Sequence, residues 1–187
     1  KNIQQDNEGI TVHFNDGEIE KYDLVIGADG IHSLTRHMAF NKEDFALTKL
    51  GIDFCTFTIP NYLKLHHTKV TCESRQKLVS ILSDEDPHTA VAAFMFRSSN
   101  DLKNIPNQKE QKKFLQETFH DFGWEMKKIL DLMLQSDDFY FDSAALVKMN
   151  SWTKGRIALV GDAAYCPSPL SGQGNNLALV GAYILAG

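Results

Sequence analysis

The chain has 187 residues, 43% hydrophobic and 23% charged, and its 19 Lys+Arg against 24 Asp+Glu give a formal net charge of -5. These values exclude collagen-like, low-complexity and intrinsically disordered readings, and the mild acidity excludes the broad basic footprint of a nucleic-acid binder. No apolar stretch reaches the ~18 residues that a membrane-spanning helix needs, and the polar opening, Lys1 to Glu8, does not read as a signal peptide.

In chain order, Ile10, Val12 and Phe14 alternate with polar residues, Asn15-Asp16-Gly17 supplies a turn, and a second arm resumes at Glu18. That pattern predicts a hairpin running on into Leu24-Val25-Ile26, an apolar run expected of a strand buried on both faces. The run stops at Gly27-Ala-Asp29-Gly30. Between Leu50 and Ser98, strands are predicted around Phe54 to Ile59, Lys69 to Cys72, Leu78 to Leu82 and Ala90 to Phe96, with turns at Pro60-Asn61 and Asp84 to Pro87. They read as an antiparallel meander with one wet face. Asn107, preceded by Pro106 and followed three residues later by Glu110, predicts a helix start. Leu115, Phe119, Phe122, Met126, Ile129, Leu130 and Met133 follow at helical spacing, with Gly123 as the expected interruption. Arg156 to Val160 is a short apolar strand ending in Gly161-Asp162. After a Pro-containing loop, Asn175 and Asn176 are N-cap candidates for a terminal apolar helix.

Cys55, Cys72 and Cys166 form an odd set without regular spacing, which predicts free thiols and a reducing, cytoplasmic setting. His66 and His67 are adjacent and point apart on a strand, so no metal site is predicted. The chain opens on Lys1 and closes on the apolar run Leu177 to Gly187, and it is expected to be an internal segment of a longer protein.

Two strand ends carry the chemistry: residues 22–36, with Asp29 and Gly30, and residues 155–176, with Gly161, Asp162, Pro169, Gly172, Gly174, Asn175 and Asn176. A strand ending in Gly-Asp places a carboxylate at the carboxyl edge of a sheet, where open α/β sheets bind ligands. Such a carboxylate suits ribose or ribityl hydroxyls. Glycines allow close approach of a planar or phosphorylated ligand, and a following helix N-terminus stabilises an anion.

With these flanks and in this order, the two motifs resemble those of the FAD-dependent aromatic hydroxylases, the flavoprotein monooxygenases related to p-hydroxybenzoate hydroxylase and the tetracycline-degrading monooxygenases. Asp29, Gly30, Ser33 and Arg36 match the family's Asp-Gly motif, and Gly161, Asp162, Pro167, Pro169, Gly172, Gly174 and Asn176 match its Gly-Asp motif. Tyr165 stands where the family often has His. The resemblance implies an α/β (α+β overall) fold, part of a Rossmann-like FAD-binding domain with an inserted, mainly antiparallel substrate-binding sheet. The expected boundaries are 1–49 in the FAD-binding domain, 50–150 in the substrate domain and 151–187 returning to the FAD-binding domain.

The resemblance further implies that Asp162 binds the FAD ribityl chain and that Pro169, Gly172, Gly174, Asn175 and Asn176 lie along the flavin. It places Asp29 and Gly30 near the pyrophosphate, with Arg36 bracing the motif. The implied reaction is NAD(P)H-driven hydroxylation of a small, aromatic or polycyclic substrate by O2 through a flavin hydroperoxide, with NADPH or NADH as donor and no side-chain nucleophile. The family's G-x-G-x-x-G unit is absent from these 187 residues and is expected before Lys1. Phe54, Phe57, Phe94 and Phe96 are candidate substrate liners, about half of them expected to be core by strand alternation. The alternatives are a same-fold halogenase or isoprenoid reductase, a truncated non-catalytic piece, and a small-molecule-binding module without redox chemistry.

Overall fold

The computed structural model describes residues 2–98, 105 and 107–187. Pro106, read above as part of a helix start, lies outside the described residues. In chain order the strands are β1 (Asn2–Gln5), β2 (Ile10–His13), β3 (Ile19–Tyr22), β4 (Val25–Gly27), β5 (Phe45–Pro60), β6 (Thr68–Ser74), β7 (Lys77–Ser83), β8 (Thr89–Arg97), β9 (Tyr140–Met149), β10 (Thr153–Lys154) and β11 (Ile157–Leu159). The helices are α1 (Leu34–Ala39), α2 (Gln108–Phe119), α3 (Met126–Gln135), α4 (Asp162–Tyr165) and α5 (Gly174–Ala186). The chain is a mixed α+β fold in two compact units, residues 1–50 with 145–187, and residues 51–144.

The first unit holds an antiparallel sheet β1-β2-β3 and a second sheet ordered β10-β11-β4. The predicted hairpin forms across Asn15-Asp16-Gly17, where Gly17 adopts φ +92° and the Phe14 N–H donates to the Glu18 carbonyl at 2.9 Å. Its second arm ends at Tyr22, and the chain then enters the other sheet. Contrary to expectation, the 24–26 run is not buried on both faces: Leu24 and Ile26 are each 50% exposed. Within the described residues β4 is an edge strand, paired on one side only, with β11. Ile10, Phe40, Ile157, Leu159, Ala163 and Ala164 make this unit's core.

The second unit carries a five-stranded sheet ordered β6-β7-β8-β5-β9, with β6–β7, β7–β8 and β8–β5 antiparallel. The expected strands are all present but longer, and β9, which sequence did not anticipate, is the fifth. On one face Cys55, Phe57, Ile59, Val79, Ile81 and Phe94 pack with Leu115, Phe119, Met126, Ile129 and Met133 of α2 and α3. The α2 start follows the sequence reading, because the Asn107 side chain accepts from the Glu110 N–H at 3.0 Å. The Gly123 interruption is also observed: Gly123 (φ +81°) and Trp124 (φ +48°) separate the two helices.

Candidate functional site

The site is built in the first unit, from the parallel pair β4 and β11. Val25, Ile26 and Gly27 lie opposite Ile157, Ala158 and Leu159, and the Val160 N–H donates to the Gly27 carbonyl at 3.0 Å. Because the strands run parallel, both glycine-acid segments leave the sheet at the same edge. Gly27 permits the close approach of β11 and α1 there: a Cβ on it would come within 2.5 Å of a Leu159 methyl carbon and 2.8 Å of the Thr35 methyl carbon.

Asp29 is committed to its own turn. Its Oδ1 accepts from the Ser33 hydroxyl at 2.5 Å, and its Oδ2 accepts from the Thr35 N–H at 2.9 Å and the Thr35 hydroxyl at 3.0 Å. Partial desolvation opposes its ionisation, but these bonds outweigh it and hold the carboxyl below its ordinary range. Ser33, fully buried, caps α1 by accepting from the Arg36 N–H at 2.9 Å. Arg36 is fully buried too. Its guanidinium donates to the Ile31 carbonyl at 2.5 Å and to the Ala163 carbonyl at 2.8 Å, and it lies over the Phe45 ring at 5.1 Å. Burial lowers its pKa, with Asp29 opposing. Arg36 thus ties the turn after β4 to the helix after β11. Thr35 escaped the sequence reading; a hydroxyl two residues past a helix cap was the available signal.

Asp162 is the first residue of α4, half-buried, and follows Gly161 at φ +63°. Among the described residues its carboxylate meets the Cys166 thiol, a weak donor, and accepts from no N–H or hydroxyl. Cys166 is buried, and its thiol pKa is raised by burial, with Asp162 adding and the Ser168 N–H and Arg36 opposing. The loop then makes a 3-10 turn over Pro169–Ser171, capped by the Ser168 hydroxyl, and Gly172 closes it at φ +64°. Pro169 and Gly172 are exposed.

Asn175 and Asn176 do not cap α5. The helix begins at Gly174 after Gln173, with no side-chain cap, and the two asparagines sit exposed in its first turn. The helix starts earlier than expected because Gly174 continues into helical backbone where a break was read. The Asn176 amide donates instead to the Gln173 side chain at 3.2 Å. A Cβ on Gly174 would stand 4.0 Å from Asp162 Oδ1, so the first turn of α5 lies beside the carboxylate. The edge therefore offers an acceptor, Asp162, beside an uncapped helix N-terminus. This donor set fits a ligand with hydroxyls near an anionic ring edge.

In the second unit, Phe57, Phe94 and Phe96 are core residues: Phe94 is tilted against Phe119 at a centroid distance of 4.7 Å, Phe96 meets Phe119 edge-on at 5.4 Å, and Phe57 meets Phe94 edge-on at 5.4 Å. Alternation along β5 and β8 turns them toward the helices. Phe54, of opposite parity, faces the other side of the sheet with Met95 across from it and the Tyr140 ring 5.9 Å away.

The FAD binding domain family matches residues 1–187. A flavin-dependent monooxygenase of Legionella longbeachae is 63% identical over 185 residues, covering 99% of this chain and 48% of the relative. The solved tetracycline destructase Tet(51) superposes with a TM-score of 0.92 at 57% identity, over 100% of this chain and 51% of that one. A Klebsiella pneumoniae protein, HpxO, complexed with FAD and uric acid, shares the fold with a TM-score of 0.71 at 22% identity, over 95% of this chain and 46% of that one. The chain spans about half the length of the relatives it matches. No helix among the described residues is long and apolar enough to cross a membrane.

Proposed function

The chain belongs to the FAD binding domain family, and from that membership we propose that it forms part of an FAD-dependent, NAD(P)H-using monooxygenase that hydroxylates an aromatic or polycyclic substrate. The carrying observation is the shared strand edge: Asp29 and Asp162 leave adjacent parallel strands there, with the first turn of α5 beside Asp162. In this reading the first unit is FAD-binding and the second is substrate-binding. Asp162 accepts hydrogen bonds from the ribityl hydroxyls. Gly172, Gly174, Pro169, Asn175 and Asn176 line the flavin, and the N–H groups opening α5 face its anionic edge. Asp29 and Gly30 form the pyrophosphate-side turn, and Arg36 holds that turn against α4.

When bound, the flavin supplies two-electron and O2 chemistry. The balance is NAD(P)H, O2, a proton and substrate giving NAD(P)+, water and substrate carrying one new oxygen atom. The protein's part is to orient the ring, exclude water and present the substrate. The face of the second unit bearing Phe54, Met95 and Tyr140 supplies apolar side chains for it. Tet(51) is named for tetracycline, so a tetracycline is the first substrate to test. A cytoplasmic setting is supported by the three free cysteines.

The test is made on the full-length enzyme carrying these residues. A flavin absorption band that bleaches with NADPH or NADH and returns with O2, with one oxygen atom gained by tetracycline in mass spectrometry, is the expected result. A protein that stays colourless after reconstitution with FAD sinks the reading.

A further inference from the structure

Helix α5 is 13 residues long, and three of them are half-buried: Gly174, Ala178 and Gly181, at i, i+4 and i+7. Each meets the segment beginning at Gly161. Gly174 faces Asp162, Ala178 lies 3.4 Å from where a Cβ on Gly161 would stand, and Gly181 lies against the Tyr165 hydroxyl, which occupies the place a Cβ would take. Two features at the third contact are unfavourable taken singly. A glycine inside a helix costs about 1 kcal/mol relative to alanine. The Tyr165 hydroxyl oxygen is buried without a hydrogen-bond partner among the described residues. Their direct contact accounts for both, since the phenol reaches the helix backbone only where the side chain is missing. The ring itself is held by Trp152, centroid to centroid 4.7 Å, on the wall of a cavity of about 240 Å3.

We propose that Tyr165 is a positioning residue for the flavin. It is the fulcrum that sets the tilt of α5 and keeps the helix's first-turn N–H groups over Asp162. The same one-turn helix, α4, carries the ligand carboxylate at its start and the fulcrum at its end. Any change in the Tyr165–Gly181 spacing therefore swings the α5 N-terminus relative to Asp162. This rests on the flavin reading above. A helix N-terminus held at the flavin favours the reduced, anionic ring, so a displaced helix lowers both FAD affinity and midpoint potential.

The test is a size swap in the full-length enzyme, read by FAD dissociation constant and flavin midpoint potential. Gly181→Ala drives the helix from the phenol and is expected to weaken FAD binding about tenfold. It should also lower the preference for reduced over oxidised flavin about tenfold, which is about 30 mV for a two-electron couple. Adding Tyr165→Phe removes the hydroxyl that the new methyl would overlap, leaving the Cζ ring carbon 2.7 Å away, and is expected to return both readouts part of the way toward wild type. Tyr165→Ala, which removes the fulcrum without adding bulk, is expected to shift the potential in the same direction and serves if Gly181→Ala does not fold. Unchanged potential in the single variants, or additive losses in the double, would overturn the proposal. Wild-type enzyme that binds no FAD would instead overturn the flavin reading, and the inference with it.

Discussion

Asp29 and Asp162 leave neighbouring parallel strands at one edge, two residues past Gly27 and three past its partner Leu159. Their surroundings diverge within one turn. After Asp29 come Ser33 and Thr35, whose hydroxyls and N–H fill both of its oxygens. After Asp162 come Ala163 and Ala164, which carry no side-chain donors, and at the position matching Ser33 stands Cys166, whose thiol is a weak donor; among the described residues its oxygens accept from no N–H or hydroxyl. The same strand-end geometry thus yields one carboxylate that stabilises the protein and one left for a ligand. The residues that follow each acid, more than the acid or the strand, decide which.

The largest effect expected from this comparison lies on the link between the two segments. Arg36→Met keeps the bulk but removes donors to the carbonyls of Ile31 and Ala163. Charged hydrogen bonds of this kind contribute about 1.5–3 kcal/mol each, so a stability loss of about 3 kcal/mol or more is expected in denaturant unfolding of the full-length protein. A loss below about 1 kcal/mol would mean the two turns hold their places unaided. Asp162→Ala should do the reverse. FAD binding should weaken about tenfold to a hundredfold, the worth of one hydrogen bond to a charge, while the apoprotein's melting temperature stays put. Equal flavin affinity would erase the distinction drawn between the two acids. Asp29→Asn belongs on the stability side: loss of the Asp29 charge loosens the turn that feeds α1 and should cost about 1 kcal/mol, as a lost helix-start interaction does. A fall in FAD affinity at unchanged stability would reassign Asp29 as a ligand.

Much of this was legible in sequence where the signal is local. The Asn107 cap, the Gly123 interruption and the Asn15-Asp16-Gly17 turn each depend on a few contiguous residues, and each appears as read. The misses are tertiary. Alternation assigns Phe54 a parity opposite to Phe57, but which parity meets α2 and α3 is settled only by packing. Leu24-Val25-Ile26 reads as doubly buried although β4 has one strand neighbour among the described residues. The Ser33, Thr35 and Arg36 bonds require the turn to be folded before their partners are near. The Tyr165–Gly181 contact joins residues 16 apart that no periodicity links.

A third carboxylate extends the comparison into the second unit, with the smallest effect. Asp138 accepts from the Ser136 hydroxyl at 2.6 Å, the Thr58 hydroxyl at 2.5 Å and the Thr58 N–H at 3.0 Å. Those bonds bring its pKa down from 3.8 to about 2. Like Asp29 it is held by donors of the protein, here Ser136 nearby and Thr58 of β5, 80 residues away; unlike Asp162 it is committed to the fold. A carboxyl whose folded pKa lies below its unfolded value stabilises the fold above the unfolded pKa, and that contribution disappears as pH falls through the folded one. Asp138→Asn should therefore melt lower than wild type at neutral pH, with the gap closing between pH 3.8 and about 2 and FAD affinity unaffected throughout. Because the group is solvent-exposed, the gap should be small and shrink in high salt. A gap that persists below pH 2 would show that the amide's geometry, rather than the lost charge, weakens this link, and the rule that hydroxyl and N–H donors of the protein mark a structural carboxylate would then rest on Asp29 alone.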